Sequence, residues 1–365
     1  MRLSANRVLA ALLLLLAIKL PARAQTSYKN IPADPAMLHA HLQQADDQTR
    51  IDDPALKPWH LRISYNIYDD KRNPKSSGTI EEWWAGANQY KINFTSPEFT
   101  ETELRSTDTT YLSGQAITPP YIEELMLREF VHPMPSVDEQ EGATPVLRKE
   151  KLLKIDFECI MLTQPMRDLH TNPKDLRITQ APTGLFPTYC FRQESGNFLL
   201  SFDYGAEAIV RNRIASFQKR IIPLELSIAF GDHLVATAKT EALNTFTPTD
   251  GDFKPTSDMQ SHKDHELASD LVKVAAGVIA GNLKTSVQPI YPQSAKDRHV
   301  SGTVEMSAVI GTDGQIHKLR LLHYDDADLA LSAIYAVRQW KYSPYLLNGE
   351  AVSVDTTIKV IYNLN

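Results

Sequence analysis

A chain of 365 residues with 42% hydrophobic and 8% aromatic side chains is long enough for two domains and too apolar to stay disordered. Its formal net charge of −6 leaves no basic footprint for nucleic acid. It contains no G-x-S-x-G, H-E-x-x-H, phosphate-loop or dinucleotide fingerprint, so no catalytic residue, cofactor or metal site is expected and the chain is not read as an enzyme.

Arg2 and Arg7 lead into an apolar run over 8–18, short of the roughly 20 residues a membrane span needs. Lys19 and Pro21 end the run, and Ala22-Arg23-Ala24 has the small-x-small form of a cleavage site. Residues 1–24 are therefore expected to be a signal peptide, and the chain to be exported. The alternative is an uncleaved segment that anchors the chain in the inner membrane, with Lys19 inside the bilayer at a cost of roughly 2.5–3.5 kcal/mol. In an exported protein the two cysteines, Cys159 and Cys190, suggest one disulfide that closes a loop and contributes roughly 3–4 kcal/mol. A reactive or metal-binding pair is the other reading, but no basic or histidine-rich neighbours favour it.

Residues 25–245 read as an antiparallel β-rich domain with helices. The spacing of Met37, Leu38, Leu42 and Ala45 predicts a helix over 35–49. Strands follow over 59–68, where Leu61, Ile63, Tyr65 and Ile67 alternate, and over 79–84, 89–94, 99–105 and 109–112. A helix over 121–131 comes after the Pro119-Pro120 breaker, and further strands over 152–161, 184–192, 197–202, 208–218, 224–230 and 234–243. So many strands and so few helices point to an antiparallel sheet or open barrel, making the chain α+β and mainly β. Residues 246–285 are expected to be a linker and lead-in: Thr247, Pro248, Gly251 and Pro255 punctuate the stretch without periodicity, and 271–280 is apolar enough to pack on either neighbour.

Residues 286–365 form the third region. Val304, Met306, Ala308 and Ile310 alternate with polar residues, Gly311-Thr312-Asp313-Gly314 signals a hairpin, and the returning strand starts at Ile316. Its period slips between Ile316 and Leu319, which predicts a bulge. Asp325 and Asp326 are N-cap residues for a helix carrying Leu329, Ala333, Ala336, Val337 and Trp340 on one face. After the Asn348-Gly349 turn, Val352, Val354, Thr356, Ile358, Val360 and Tyr362 alternate strictly in a final strand, which gives the order β-β-α-β.

Five motifs of this region run in series: Gln288-Pro289-Ile290-Tyr291-Pro292, Gly302-Thr303-Val304, Ile310-Gly311-Thr312-Asp313-Gly314-Gln315-Ile316, Ala336-Val337-Arg338-Gln339-Trp340-Lys341-Tyr342-Ser343-Pro344-Tyr345 and Asn348-Gly349-Glu350. Together they resemble the C-terminal domain of TonB-family energy transducers. The resemblance implies a periplasmic domain that binds envelope proteins, outer-membrane TonB-dependent receptors among them, by adding a partner strand to a sheet edge. It implies partner contacts at Gln288, Pro289 and Tyr291 and along the backbone of Val352, Val354, Thr356, Ile358 and Val360. The chain departs from an energy transducer in its large central β domain and its lack of a long Pro-rich spacer, so an adaptor associated with outer-membrane transport is expected rather than a motor component.

The first region, through "WHLRISYNIYD" and "GTIEEWWAGANQYKINF", resembles at the level of fold alone the open half-barrel of lipoprotein carriers. The alternative function is therefore a periplasmic carrier of lipid or lipoprotein acyl chains, with an apolar ligand among Trp83, Trp84, Tyr90 and Phe94 and the third region as docking module. Ordinary sheet packing of these aromatics is the favoured reading. His39 with His41 lie two apart on a helix and so face apart, and Glu81 with Glu82, adjacent on a strand, point to opposite faces; neither pair is expected to form a site. His262 and His265 in the linker are read as solvated charge. Sequence does not fix the oligomeric state.

Overall fold

The computed structural model describes residues 30–69, 71–114, 119–136, 140–152, 154–164, 184–203, 207–231, 233–249, 251–263, 272–275 and 281–364. The expected signal peptide and His265 lie outside the described residues, and His262 is described by its backbone alone.

Helix α1 (Pro35–Thr49) begins where expected, because Asp34 caps it by accepting the Ala36 N–H at 2.9 Å and Pro35 sits in the first turn, where no N–H is needed. Strands β1 (Trp59–Tyr68), β2 (Pro74–Gly86), β3 (Gln89–Thr95), β4 (Thr100–Ser106) and β5 (Thr109–Gly114) precede helix α2 (Tyr121–Val131). After it come β6 (Thr144–Leu152), β7 (Ile155–Thr163), β8 (Thr188–Arg192), β9 (Phe198–Asp203), β10 (Glu207–Phe217), β11 (Arg220–Phe230), β12 (His233–Thr245) and β13 (Gln260–Lys263). All thirteen strands form one sheet, in the order β13-β5-β4-β3-β2-β1-β12-β11-β10-β9-β8-β7-β6, and each pairing is antiparallel.

Strict alternation on β1 buries Trp59, Leu61, Ile63 and Tyr65 on one face, against Ile122, Leu125, Met126 and Phe130 of α2. Leu38, Leu42 and Ala45 of α1 pack with Ile160 and Leu162 of β7. Cys159, Cys190, Leu200, Phe202 and Val210 belong to another cluster, and Cys159 faces Cys190 across the β7–β8 pair in a disulfide. Replacing both cysteines by alanine is expected to lower stability in chemical denaturation by about 3–4 kcal/mol, because the reduced chain regains loop entropy when it unfolds.

Two strand expectations are corrected. Leu152 ends β6 instead of opening β7, and the whole of β6 escaped the sequence reading because its buried residues include the charged Arg148, 1% exposed, which hides the alternation. Strand β11 begins at Arg220 because Gln218 and Lys219, both at positive φ (46° and 69°), close a two-residue hairpin without glycine.

Beyond β13, which sits in the stretch expected to be a linker, come β14 (Val272–Lys273), β15 (Leu283–Thr285), α3 (Gln293–Asp297), β16 (Gly302–Ile310), β17 (Ile316–Tyr324), α4 (Ala327–Val337), β18 (Lys341–Tyr342), β19 (Tyr345–Leu347), β20 (Glu350–Val352) and β21 (Val354–Tyr362). Strands β14, β21, β16 and β17 form a second sheet in that order. Helix α4 packs Leu329, Ala330, Ala333, Ile334 and Val337 into one cluster with Val304, Met306, Leu319, Leu321, Ile358 and Tyr362. Asp326 is its N-cap, its Oδ1 accepting from the Asp328 and Leu329 N–H groups at 3.0 and 3.3 Å, while Asp325 accepts from the Thr303 N–H at 2.7 Å. Trp340 lies past the helix end, not on its face; its Nε1–H donates to the Val287 carbonyl at 2.9 Å. Gly314 has φ +75°, and a Cβ there would stand 2.0 Å from the Tyr342 carbonyl, so the Asp-Gly turn and the Trp-Lys-Tyr segment are fitted to each other.

Candidate partner-binding edge

The β21 strand has two sides. On one, all nine residues from Val354 to Tyr362 are in register with β16. On the other, the Ser353 and Asp355 carbonyls accept from the Val272 and Val274 N–H groups of the β14 segment, at 3.1 and 2.9 Å. Because a strand has a period of two, odd-numbered residues turn their N–H and C=O toward this second side. Past Asp355 these are Thr357, Lys359 and Ile361, which have no strand partner among the described residues.

The sequence-predicted contact residues occupy different places around this rim. Val354, Thr356, Ile358 and Val360 are buried, with their side chains toward the core and their backbone groups on the β16 side. Val352 is not on β21 at all; it pairs with Tyr345 in the β19–β20 hairpin. Tyr291 is half-buried, its ring 5.4 Å from that of Tyr362 and its hydroxyl donating to the Val300 carbonyl. The lead-in is strapped down by Trp340 at Val287 and by the Ser332 hydroxyl at the Ile290 carbonyl, which leaves Gln288 exposed and the Ile290 side chain 76% exposed. The open rim thus runs between β14 at one end of β21 and Tyr291 at the other.

The opposite edge of this sheet faces the large one. Met161, Leu185 and Phe186 belong to the same apolar cluster as α4 and β16. Arg320 of β17 donates to Gln164 at 2.7 Å, and a Cβ on Gly231, whose φ is +60°, would lie 3.0 Å from the Tyr335 ring. Gln164, Phe186, Asp203, Glu207 and Gly231 all stand at one end of strands β7 to β11, so the second sheet is seated on that end.

A buried polar cluster ties the junction. Arg338, at the C-cap of α4, donates to Asp203 at 3.0 Å and to the Tyr121 hydroxyl at 3.3 Å, and Tyr121 donates to Glu207 at 2.7 Å. Burial raises the Glu207 carboxyl to about 7, partly offset by the Arg338 charge. The bulge expected early in β17 falls at His317, where the register shifts between Val309 and Ile310. This re-aims the imidazole toward Asp313 at 3.0 Å and Glu124 of α2 at 2.8 Å. Burial alone would lower its pKa, but the bonds to Asp313 and Glu124 prevail and raise it to about 9. Sequence reasoning anticipated the bulge but neither the junction nor the parts played there by Arg338, Tyr121 and Glu207.

The aromatics expected around an apolar ligand are divided between two faces. Trp84 and Phe94 are buried in the α2 cluster with Tyr90 at its margin, whereas Trp83 stacks on His60 on the other face with Lys91 Nζ 4.4 Å above its ring. Glu81 and Glu82 do face apart: Glu81 bonds His60 at 2.7 Å, and Glu82 is 5% exposed on the inner face.

The stretch that carries the Tyr-Pro lead-in, the Asp-Gly hairpin and most of the helix-backed sheet matches a known family. Residues 287–364 match the family of the Gram-negative bacterial TonB protein C-terminal. The chain is 34% identical over 83 residues to the protein TonB of Vibrio cholerae, covering 22% of this chain and 34% of that protein, so it spans about a third of the length of the curated relative it matches. Among solved structures, the chain is similar to the Pseudomonas aeruginosa TonB C-terminal domain, with 20% identity, 22% of this chain and 84% of that one covered, and a TM-score of 0.20. It is also similar to a LolA superfamily protein from Nitrosomonas europaea, with 12% identity, 61% of this chain and 99% of that one covered, and a TM-score of 0.35. A DUF1329 family protein from Desulfovibrio piger gives 12% identity, 61% and 98% coverage, and a TM-score of 0.38.

Proposed function

We propose that the chain is a non-enzymatic periplasmic adaptor that binds envelope proteins by strand addition to the β21 rim, in association with outer-membrane transport. The observation that carries this reading is the row of backbone groups at Thr357, Lys359 and Ile361, unmatched among the described residues, on a domain that matches TonB. An exposed sheet edge is a liability that proteins usually blunt, and a partner strand is one means of covering it. Outer-membrane receptors are the partners that kinship with TonB suggests. Gln288 and Pro289 flank the rim, the side chains of Val354, Thr356, Ile358 and Val360 hold it in shape, and Thr357, Lys359 and Ile361 make the bonds. No helix among the described residues is long and apolar enough to cross a membrane; export rests on residues 1–24 as a signal peptide.

A carrier of acyl chains would need space on the inner face of the large sheet. Leu42 of α1 and Met126 of α2, both at 0% exposure, fill that face, which favours the adaptor reading.

Titration of the full chain with synthetic peptides copying the box, the short extended segment by which outer-membrane transporters are bound in the TonB family, tests the proposal. Saturable binding is expected, about ten-fold weaker in Thr357→Pro, which removes a rim donor while sparing the β16 ladder. If neither the peptides nor proteins from envelope fractions bind the wild-type chain, the adaptor reading fails.

A further inference from the structure

We infer that residues 272–275 are an intramolecular strand held on the partner-accepting rim, which an incoming strand must displace. The inference deepens the adaptor reading and depends on the same edge. Val272 and Lys273 pair in parallel with Val354 and Asp355, where the rim begins. Side chains in this segment alternate as an edge strand's should. Val272 is half-buried against the α4 cluster, Lys273 is exposed, and Val274 is 9% exposed within that cluster. The segment therefore fits the edge by backbone and by side chain, as a bound peptide would.

Its hold is short. Two residues in register, with the Val272 and Val274 N–H groups as the cap's donors, compare with the nine-residue register that fixes β21 to β16 on the other side. Among the described residues the last bond to the cap is at Asp355, two residues before Thr357, so a foreign strand can first pair with the rim beyond it and then advance toward Ser353. This segment gives the rim its own occupant and sets a threshold that weak or short partner strands do not pass. It also indicates the side-chain pattern that the start of the rim accepts: apolar residues at alternate positions, beside Val354 and Thr356, with a polar or cationic residue between them at the level of Asp355.

The test uses the full chain and two variants, Val272→Pro and Val274→Pro, each lacking one of the two donors. Val272→Pro leaves the buried Val274 side chain in place, and a cooperative thermal transition identifies the variants that fold. The probe is a fluorescent synthetic peptide with the sequence of this chain's residues 270–277. It is expected to bind a folded variant about ten-fold more tightly than the wild-type chain, because the variant's own strand no longer competes. Equal affinity for variant and wild type, or binding to neither, overturns the self-cap. A second arm repeats the comparison with the transporter-box peptide. If that peptide binds wild type and variants alike, the self-cap fails and the adaptor reading stands. If it binds none of them while the 270–277 peptide still prefers the variants, the self-cap stands and the adaptor reading fails.

Discussion

Replacing Arg338 by methionine is expected to destabilise the full chain by about 3–5 kcal/mol in urea denaturation, the loss typical when one member of a buried ion pair is removed. The side chain is 4% exposed and reaches across the junction to Asp203 and Tyr121, with the Glu207 carboxyl beyond Tyr121. Methionine fills a similar volume but leaves Asp203 without its counter-charge and Tyr121 without a donor. Glu207 also loses the larger of the two cationic charges, Arg338 and Arg128, that hold its pKa down, and is driven further toward its neutral form. Arg298→Met supplies the contrast: Arg298 is 40% exposed and pairs with Asp326 and Asp328 at the surface, so its loss should cost under about 1 kcal/mol. If Arg338→Met proves as mild as Arg298→Met, the guanidinium does not clasp the two sheets and the junction rests on its other contacts, those of Met161, Leu185 and Phe186 chief among them.

The fold was legible in the sequence wherever burial and side-chain type coincide. On β1 the buried residues are Trp59, Leu61, Ile63 and Tyr65, so the apolar pattern is the burial pattern. The same holds for β16 and β21, where Val304, Met306, Ala308 and Ile310 face Val360, Ile358, Thr356 and Val354. Legibility fails where a charge is buried. Arg148 hides β6, and Arg338, part of the Ala-Val-Arg-Gln-Trp series, reads as a surface cation although it lies at the centre of the junction.

The candidate edge was legible only in part, for a topological reason. Alternation on β21 reveals which side chains face the core, but not which backbone groups are free. That depends on whether even- or odd-numbered residues bond to β16. The groups without a strand partner among the described residues belong to Thr357, Lys359 and Ile361, the residues between those the alternation singles out. Strand β14 could not have been found by periodicity, since two residues complete a single period. The lead-in was found by its prolines and Tyr291, because a stiff segment next to an edge strand is written in residue types.

The chain is expected to lose stability as pH rises from 5 to 9, because groups that bind their protons more tightly in the folded chain than in the unfolded one give up that stabilisation as they deprotonate. Six carboxyl and imidazole groups share the sign, Glu103 among them because burial raises it. Burial, with the charges of Glu103 and Asp52, raises Glu82 to about 8; burial raises Glu123 to about 7 despite a bond from Tyr65; and Glu207 stands at about 7. His317 is raised to about 9, and bonds to Asp46 and Asp52 raise His132 to about 9. Against ordinary values of 4.5 for the carboxyls and 6.5 for the imidazoles, the folded chain holds more protons than the unfolded one throughout this window. The carboxyls' contribution is complete below about pH 4.5 and lost through 7–8; the imidazoles' is complete below about 6.5 and lost through 9. Asp46 and Asp313 act oppositely: their histidine partners outweigh burial and hold them below the usual range, so their contribution is lost on the acid side. Maximum stability should therefore lie near pH 4–6, read as the urea midpoint at successive pH values, and Glu82→Gln should flatten its alkaline limb. Glu207 and His317 lie at the junction, so its amides, those of Tyr121 to Glu124 first, should lose hydrogen-exchange protection before the rest of the large sheet as the solution turns alkaline. A midpoint that is flat or rising from pH 5 to 9 would mean that these groups are not held in their protonated forms by the packing described.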